Sequence, residues 1–67
     1  MGNLAKRLAK RLREARGHTS QLQFAAKLGV SKSSLNRMEM GIQNVTLDTL
    51  ETLCHKLRCD VGDLFPR

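Results

Sequence analysis

Tryptophan and tyrosine are absent, and aromatics make up only 3% of the chain. No alternating run of Val, Ile or Thr takes their place, so β-strands have little to build on. No apolar run approaches the ~18–20 residues that a membrane span needs, so no span is present and no membrane partner is expected. The N-terminus carries charge but no apolar stretch behind it, so it does not read as a secretory signal, and a cytoplasmic location follows. The two cysteines, Cys54 and Cys59, are then expected to stay reduced. With His55 between them and His18 far away, they lack the paired spacing of a structural zinc site. They read instead as small core hydrophobes, and no metal is expected. There is no Ser/His/Asp order, no carboxylate pair set for a pocket and no phosphate-cradling glycine loop, so neither an enzyme nor a cofactor is expected. Sixty-seven residues give room for one domain, 1–67, read as a whole small protein or a cleanly cut unit. A domain of that size has no room for a deep cleft beside its core.

What the chain has is positive charge, unevenly placed. The formal net charge is +6. Residues 1–45 hold nine Lys/Arg against two acids, and residues 46–67 hold three against four. A basic front on a nearly neutral back is the electrostatic footprint of a polyanion binder.

Helical periodicity recurs along the whole length. Residues 3–16 place Leu4, Leu8, Leu12 and Ala15 on one stripe, with Lys6, Arg7, Lys10, Arg11, Arg13 and Arg16 around it. Gly17 ends this helix. Ser20 to Gln23 fit a capping box that opens a second helix, with Phe24, Ala25 and Leu28 as its buried face and Gly29 as its stop. Ser31 caps a third helix, where Leu35 and Met38 face inward, and Gly41 ends it. Between them Lys32, Ser33, Asn36 and Arg37 share an outward face. Thr46 caps a fourth helix with the stripe Leu47, Leu50, Leu53, Cys54 and Leu57, and Asp48 complements its N-terminal dipole. Asp60 caps a short last helix carrying Val61, Leu64 and Phe65, which Pro66 closes. The fold class is therefore all-α, a compact bundle of five helices.

Residues 20–41 read SQLQFAAKLGVSKSSLNRMEMG. This segment resembles the helix-turn-helix of the Cro/repressor-type family, also called the Xre family. Ser20, Gln21, Phe24, Ala25, Leu28, Gly29, Val30, Ser31, Ser34, Leu35, Met38, Glu39 and Gly41 match its pattern. The likeness extends from about Leu8 to Phe65, and the tail CDVGDLF is similar to the family's closing segment. The spacing has physical reasons. Ala25 is small where two helices cross, Gly29 turns with positive φ, Val30 plugs the core below the turn and Leu35 fixes the following helix.

The resemblance implies a lambda-repressor-like DNA-binding domain, with helices 2 and 3 as the helix-turn-helix and helix 3 in the major groove. It implies a sequence-specific transcriptional regulator, a repressor in the first instance, bound to double-stranded DNA as a homodimer and associated with the nucleoid through it. The base-reading positions fall on Lys32, Ser33 and Arg37, with Ser31 and Asn36 beside them. Lys32 or Arg37 suits guanine, and Asn36 suits adenine. Gln21 at the start of helix 2, and Gln43 and Asn44 after helix 3, fall on phosphate contacts. Arg7, Lys10 and Arg11 are candidates for added phosphate attraction, balanced by their reading as a solvated helix face. Arg13 and Glu39 fall on the ion pair that joins helices 1 and 3 in phage repressors of this type. The dimer surface is expected around Val61, Leu64 and Phe65, which core packing also claims.

The chain departs from the pattern in four places. His18-Thr19 adds a residue before Ser20, Leu22 replaces a polar residue, Val45 replaces a common proline, and Arg58 stands where Gly or Asn bends the chain. Two other readings stay open. One is an antitoxin or interaction module of the same fold with a toxin partner. The other is a membrane-surface peptide built on the basic first helix, although four further patterned helices occupy its apolar face.

Overall fold

Each apolar stripe finds a neighbour in the computed structural model, which describes residues 3–42 and 45–65. Five α-helices form among the described residues: α1 Asn3–Arg16, α2 Gln21–Leu28, α3 Lys32–Glu39, α4 Leu47–Leu57 and α5 Val61–Leu64. Helix α1 packs on α3 and α5, α2 packs on α3 and α4, and α4 packs on α5. Their inner faces form one cluster of Leu8, Leu12, Phe24, Ala25, Leu28, Leu35, Met38, Leu53 and Leu64. Removing this surface from water is the main favourable term in folding, at roughly 25 cal/mol per Å² of apolar area.

The helix ends form where the sequence places its caps. The Ser20 hydroxyl accepts the Gln23 N–H at 3.1 Å, the Ser31 hydroxyl the Ser34 N–H at 3.0 Å, and the Thr46 hydroxyl the Thr49 N–H at 3.2 Å. Each such bond satisfies an N–H that the first turn leaves without a helical partner, and is worth about 1 kcal/mol. Gly29 takes φ 75° and closes α2, with the Val30 N–H returning to the Ala25 carbonyl at 3.0 Å. The His18-Thr19 insertion leaves the start of α2 in register: the Thr19 N–H bonds the Arg16 carbonyl at 3.0 Å and Ser20 remains the N-cap.

Arg58 ends α4 in the left-handed region at φ 53°, the one described non-glycine residue with positive φ. An L-side chain there meets its own backbone, at a cost of about 1–2 kcal/mol. Arg58→Gly removes that clash but adds freedom to the unfolded chain. The net expectation is a gain of about 0.5–1 kcal/mol, seen as a higher urea midpoint with an unchanged slope.

The four-residue helix α5 is held by α1. Arg7 Nη2 donates to the Phe65 carbonyl at 2.9 Å and Arg11 Nε to the Asp63 carbonyl at 3.1 Å. The Asp60 N–H donates to Asp63 Oδ2 at 3.0 Å. Two cations read as candidates for phosphate attraction thus serve the fold, by satisfying carbonyls at a helix C-terminus.

The stripes overreach at helix ends. Leu4 and Leu47 lie on apolar stripes, but in first turns that project past the core, and they are 57% and 81% exposed. Ala9, outside the expected stripe, is buried. The expected dimer surface is also reduced. Leu64 is fully buried and Phe65 packs against the core, which leaves Val61 as the exposed apolar residue of the three. Cys54 and Cys59 are half-buried, packing on the edge of the core rather than within it.

Candidate nucleic-acid interface

Helices α2 and α3 are joined by the short turn at Gly29-Val30-Ser31. Their mutual angle is fixed from below, where Ala25, Leu28, Leu35 and Met38 are all buried. The opposite side of α3 is bare. Ser31, Lys32, Ser33, Asn36 and Arg37 are all exposed. Neither α2 nor α3 carries an acidic residue in its first turn. The positive ends of both helix dipoles therefore meet no carboxylate of their own, which suits an anion.

The residues assigned to bases differ in how they are held. Ser31 uses one lone pair of its hydroxyl as the N-cap, which leaves the O–H donor and a second lone pair. Lys32 and Ser33 follow in the first turn, where side chains reach outward. Asn36 is engaged at both ends of its amide. Oδ1 accepts from Gln21 Nε2 at 3.3 Å, and Nδ2 donates to the Met40 sulfur at 3.5 Å. Each end keeps a second lone pair or N–H, so pairing with adenine uses that remaining capacity or exchanges these bonds. Arg37 also has an intramolecular interaction in the folded chain.

Gln21 lies half-buried at the first turn of α2 and turns inward. Its Nε2 donates to Glu39 Oε1 at 3.2 Å as well as to Asn36. It therefore links the start of α2 to the middle and the end of α3. Gln43 and Asn44 lie outside the described residues.

Glu39 is the centre of this side of the molecule. It is 4% exposed, the one buried charged residue among those described. Arg16 grips its carboxylate with two bonds, Nε to Oε2 at 2.8 Å and Nη2 to Oε1 at 2.9 Å. The third Arg16 nitrogen, Nη1, reaches the Thr19 carbonyl at 3.1 Å. Arg13 bonds the main-chain carbonyl of Glu39. The expected Arg13–Glu39 ion pair is thus corrected: the carboxylate belongs to Arg16, and Arg13 caps the end of α3. The cause is geometric. Arg13 and Arg16 are three residues apart on one face of α1, so both reach the end of α3, and the later one lies beside the buried side chain. The Glu39 hydrogen bonds hold Arg16 in its charged form, raising its pKa above the ordinary arginine value.

Sequence reasoning missed the link from Gln21 to Glu39. A signal existed, since Gln21 and Glu39 both match the resemblance, but their contact spans the turn. Among the described residues, no group of three or more His, Cys, Asp or Glu is placed to hold a metal ion, and no helix is long and apolar enough to cross a membrane.

Comparison with protein families found a model described as helix-turn-helix that matches residues 10–64. Comparison with curated proteins and with solved structures found no match.

Proposed function

Because the chain belongs to the helix-turn-helix family, of the Cro/repressor type, we propose that it is a sequence-specific transcriptional regulator that acts as a repressor by laying α3 in the DNA major groove. One observation carries the reading. Lys32, Ser33 and Arg37 stand exposed on the one face of α3 that the bundle leaves uncovered, while Leu35, Met38 and Glu39 anchor the opposite face. Phosphates on either side meet the N-terminus of α2 and the basic surface of residues 1–45. Gln43 and Asn44, which follow α3 in the sequence, are phosphate contacts by resemblance.

A single α3 reads only a few base pairs. Two copies on half-sites about one helical turn apart supply useful affinity, so the regulator works as a homodimer. Replication of that two-fold symmetry in the DNA is the expected signature. Selection from a random duplex library at near-physiological salt should enrich an inverted repeat. An enriched pool without any repeat would remove the dimer, and a pool without enrichment would remove sequence specificity altogether.

Arg37→Ala is expected to weaken binding to the selected site by about 1–3 kcal/mol and to relax one base position. Repeating the selection with the variant checks this. A uniform loss on every sequence would make Arg37 a phosphate contact instead.

A further inference from the structure

The end of α4 sets the chain's two thiols side by side. The Cys59 N–H donates to the Cys54 carbonyl at 3.0 Å and the Arg58 N–H to the His55 carbonyl at 3.3 Å, with Arg58 left-handed between them. This pair of bonds is the Schellman closure of a helix, and it brings together the side chains at the two ends of the outer bond. Here those ends are Cys54 and Cys59, and both pack against the same edge of the core. Both are unbridged and only half-buried. Both also line an open cleft together with His55, Arg58, Asp60 and Asp63, so a small reagent in water reaches them.

We propose that Cys54 and Cys59 are a redox pair that closes into a reversible disulfide and clamps the turn between α4 and α5. A low-molecular-weight disulfide of the glutathione class is the oxidant. One cysteine thiolate attacks its S–S bond, forming a mixed disulfide and expelling one glutathione thiolate. The second cysteine thiolate then attacks the protein sulfur of that mixed disulfide and expels the other. Two electrons pass from the cysteine pair to the oxidant, and the two thiol protons end on the two glutathiones. Excess reduced glutathione reverses both steps.

The surroundings set the speed. Burial pushes the Cys59 thiol up, aided by the neighbouring Cys54 and the Asp63 carboxylate and opposed by Arg11. The attacking form is the thiolate, so closure is slow at neutral pH and quickens as pH rises.

The test equilibrates the full chain with oxidised and reduced glutathione at fixed ratios, quenches with acid, and counts the products by mass. It is run in buffer and in concentrated urea. The expected product is a monomer lighter by two hydrogens. Its equilibrium constant in buffer should exceed that in urea by roughly tenfold or more, because the fold preorganises the pair. Cys59→Ser should give only a glutathione adduct at Cys54. An equal or smaller constant in the folded chain would overturn the proposal. So would a wild-type product made only of glutathione adducts or disulfide-linked dimers.

Discussion

Replacing Glu39 by alanine should destabilise the fold by about 2–3 kcal/mol and lower its melting temperature by about 10–20 °C. The carboxylate is nearly out of water, so its removal leaves donors facing a void. Breaking a buried ion pair by deleting one member commonly costs about 3–5 kcal/mol. Two features hold the expected loss below that range. The Arg16 side chain is 24% exposed, so its guanidinium can turn to water once the carboxylate is gone. Arg13 bonds the main chain of Glu39 rather than its side chain, so that link survives. Gln21 keeps Asn36 but loses its other acceptor. Thermal unfolding followed by helical circular dichroism gives the answer. A change within about 0.5 kcal/mol, typical of substitutions at an ordinary surface site, would mean that the Glu39 network is ornamental.

The second large effect concerns binding. Removing both cations of the exposed α3 face, Lys32→Ala with Arg37→Ala, should weaken the selected duplex by about 2–4 kcal/mol at constant salt. A scrambled duplex should lose far less, because it offers these side chains only phosphates. Fold integrity is not at stake, because neither side chain belongs to the core. Titration of both duplexes by fluorescence anisotropy separates the outcomes. Equal losses on the two duplexes would assign Lys32 and Arg37 to general phosphate attraction and leave the reading of bases to other residues.

Much of this was legible in the chain because it is local. A serine followed three residues later by an open N–H, or a glycine that accepts positive φ, needs no distant partner. Ser20, Gly29, Ser31 and Thr46 accordingly fall where the sequence puts them. Arg58 stands where the pattern has Gly or Asn, and it is the left-handed residue. What resisted reading depends on contacts across the bundle. Periodicity puts Arg13 and Arg16 on one face of α1 but cannot choose which one meets Glu39. Leu47 and Leu4 satisfy an apolar stripe without having a neighbour beyond the helix end. Arg7 and Arg11 look like a solvated basic face until α5 brings its carbonyls to them.

Most of the candidate interface was legible for a different reason. Residues of α3 off the face of the anchors Leu35 and Met38 have to point away from the core, so Lys32, Ser33, Asn36 and Arg37 are exposed once those anchors are known. Their state was not legible. Nothing local reveals that the Asn36 amide is held between Gln21 and Met40, or that Gln21 faces Glu39 rather than solvent. These bonds position α3 against α2.

The most direct test of the central claim is the ratio of affinities for the selected duplex and a scrambled duplex of equal length, measured at about 150 mM salt, the physiological ionic strength. Sequence-specific reading by α3 predicts a ratio of roughly a thousandfold or more, since specific sites exceed non-specific ones by at least that factor. A ratio near one, with both affinities collapsing together as salt rises, would contradict it. The +6 chain would then be holding DNA by its phosphates alone.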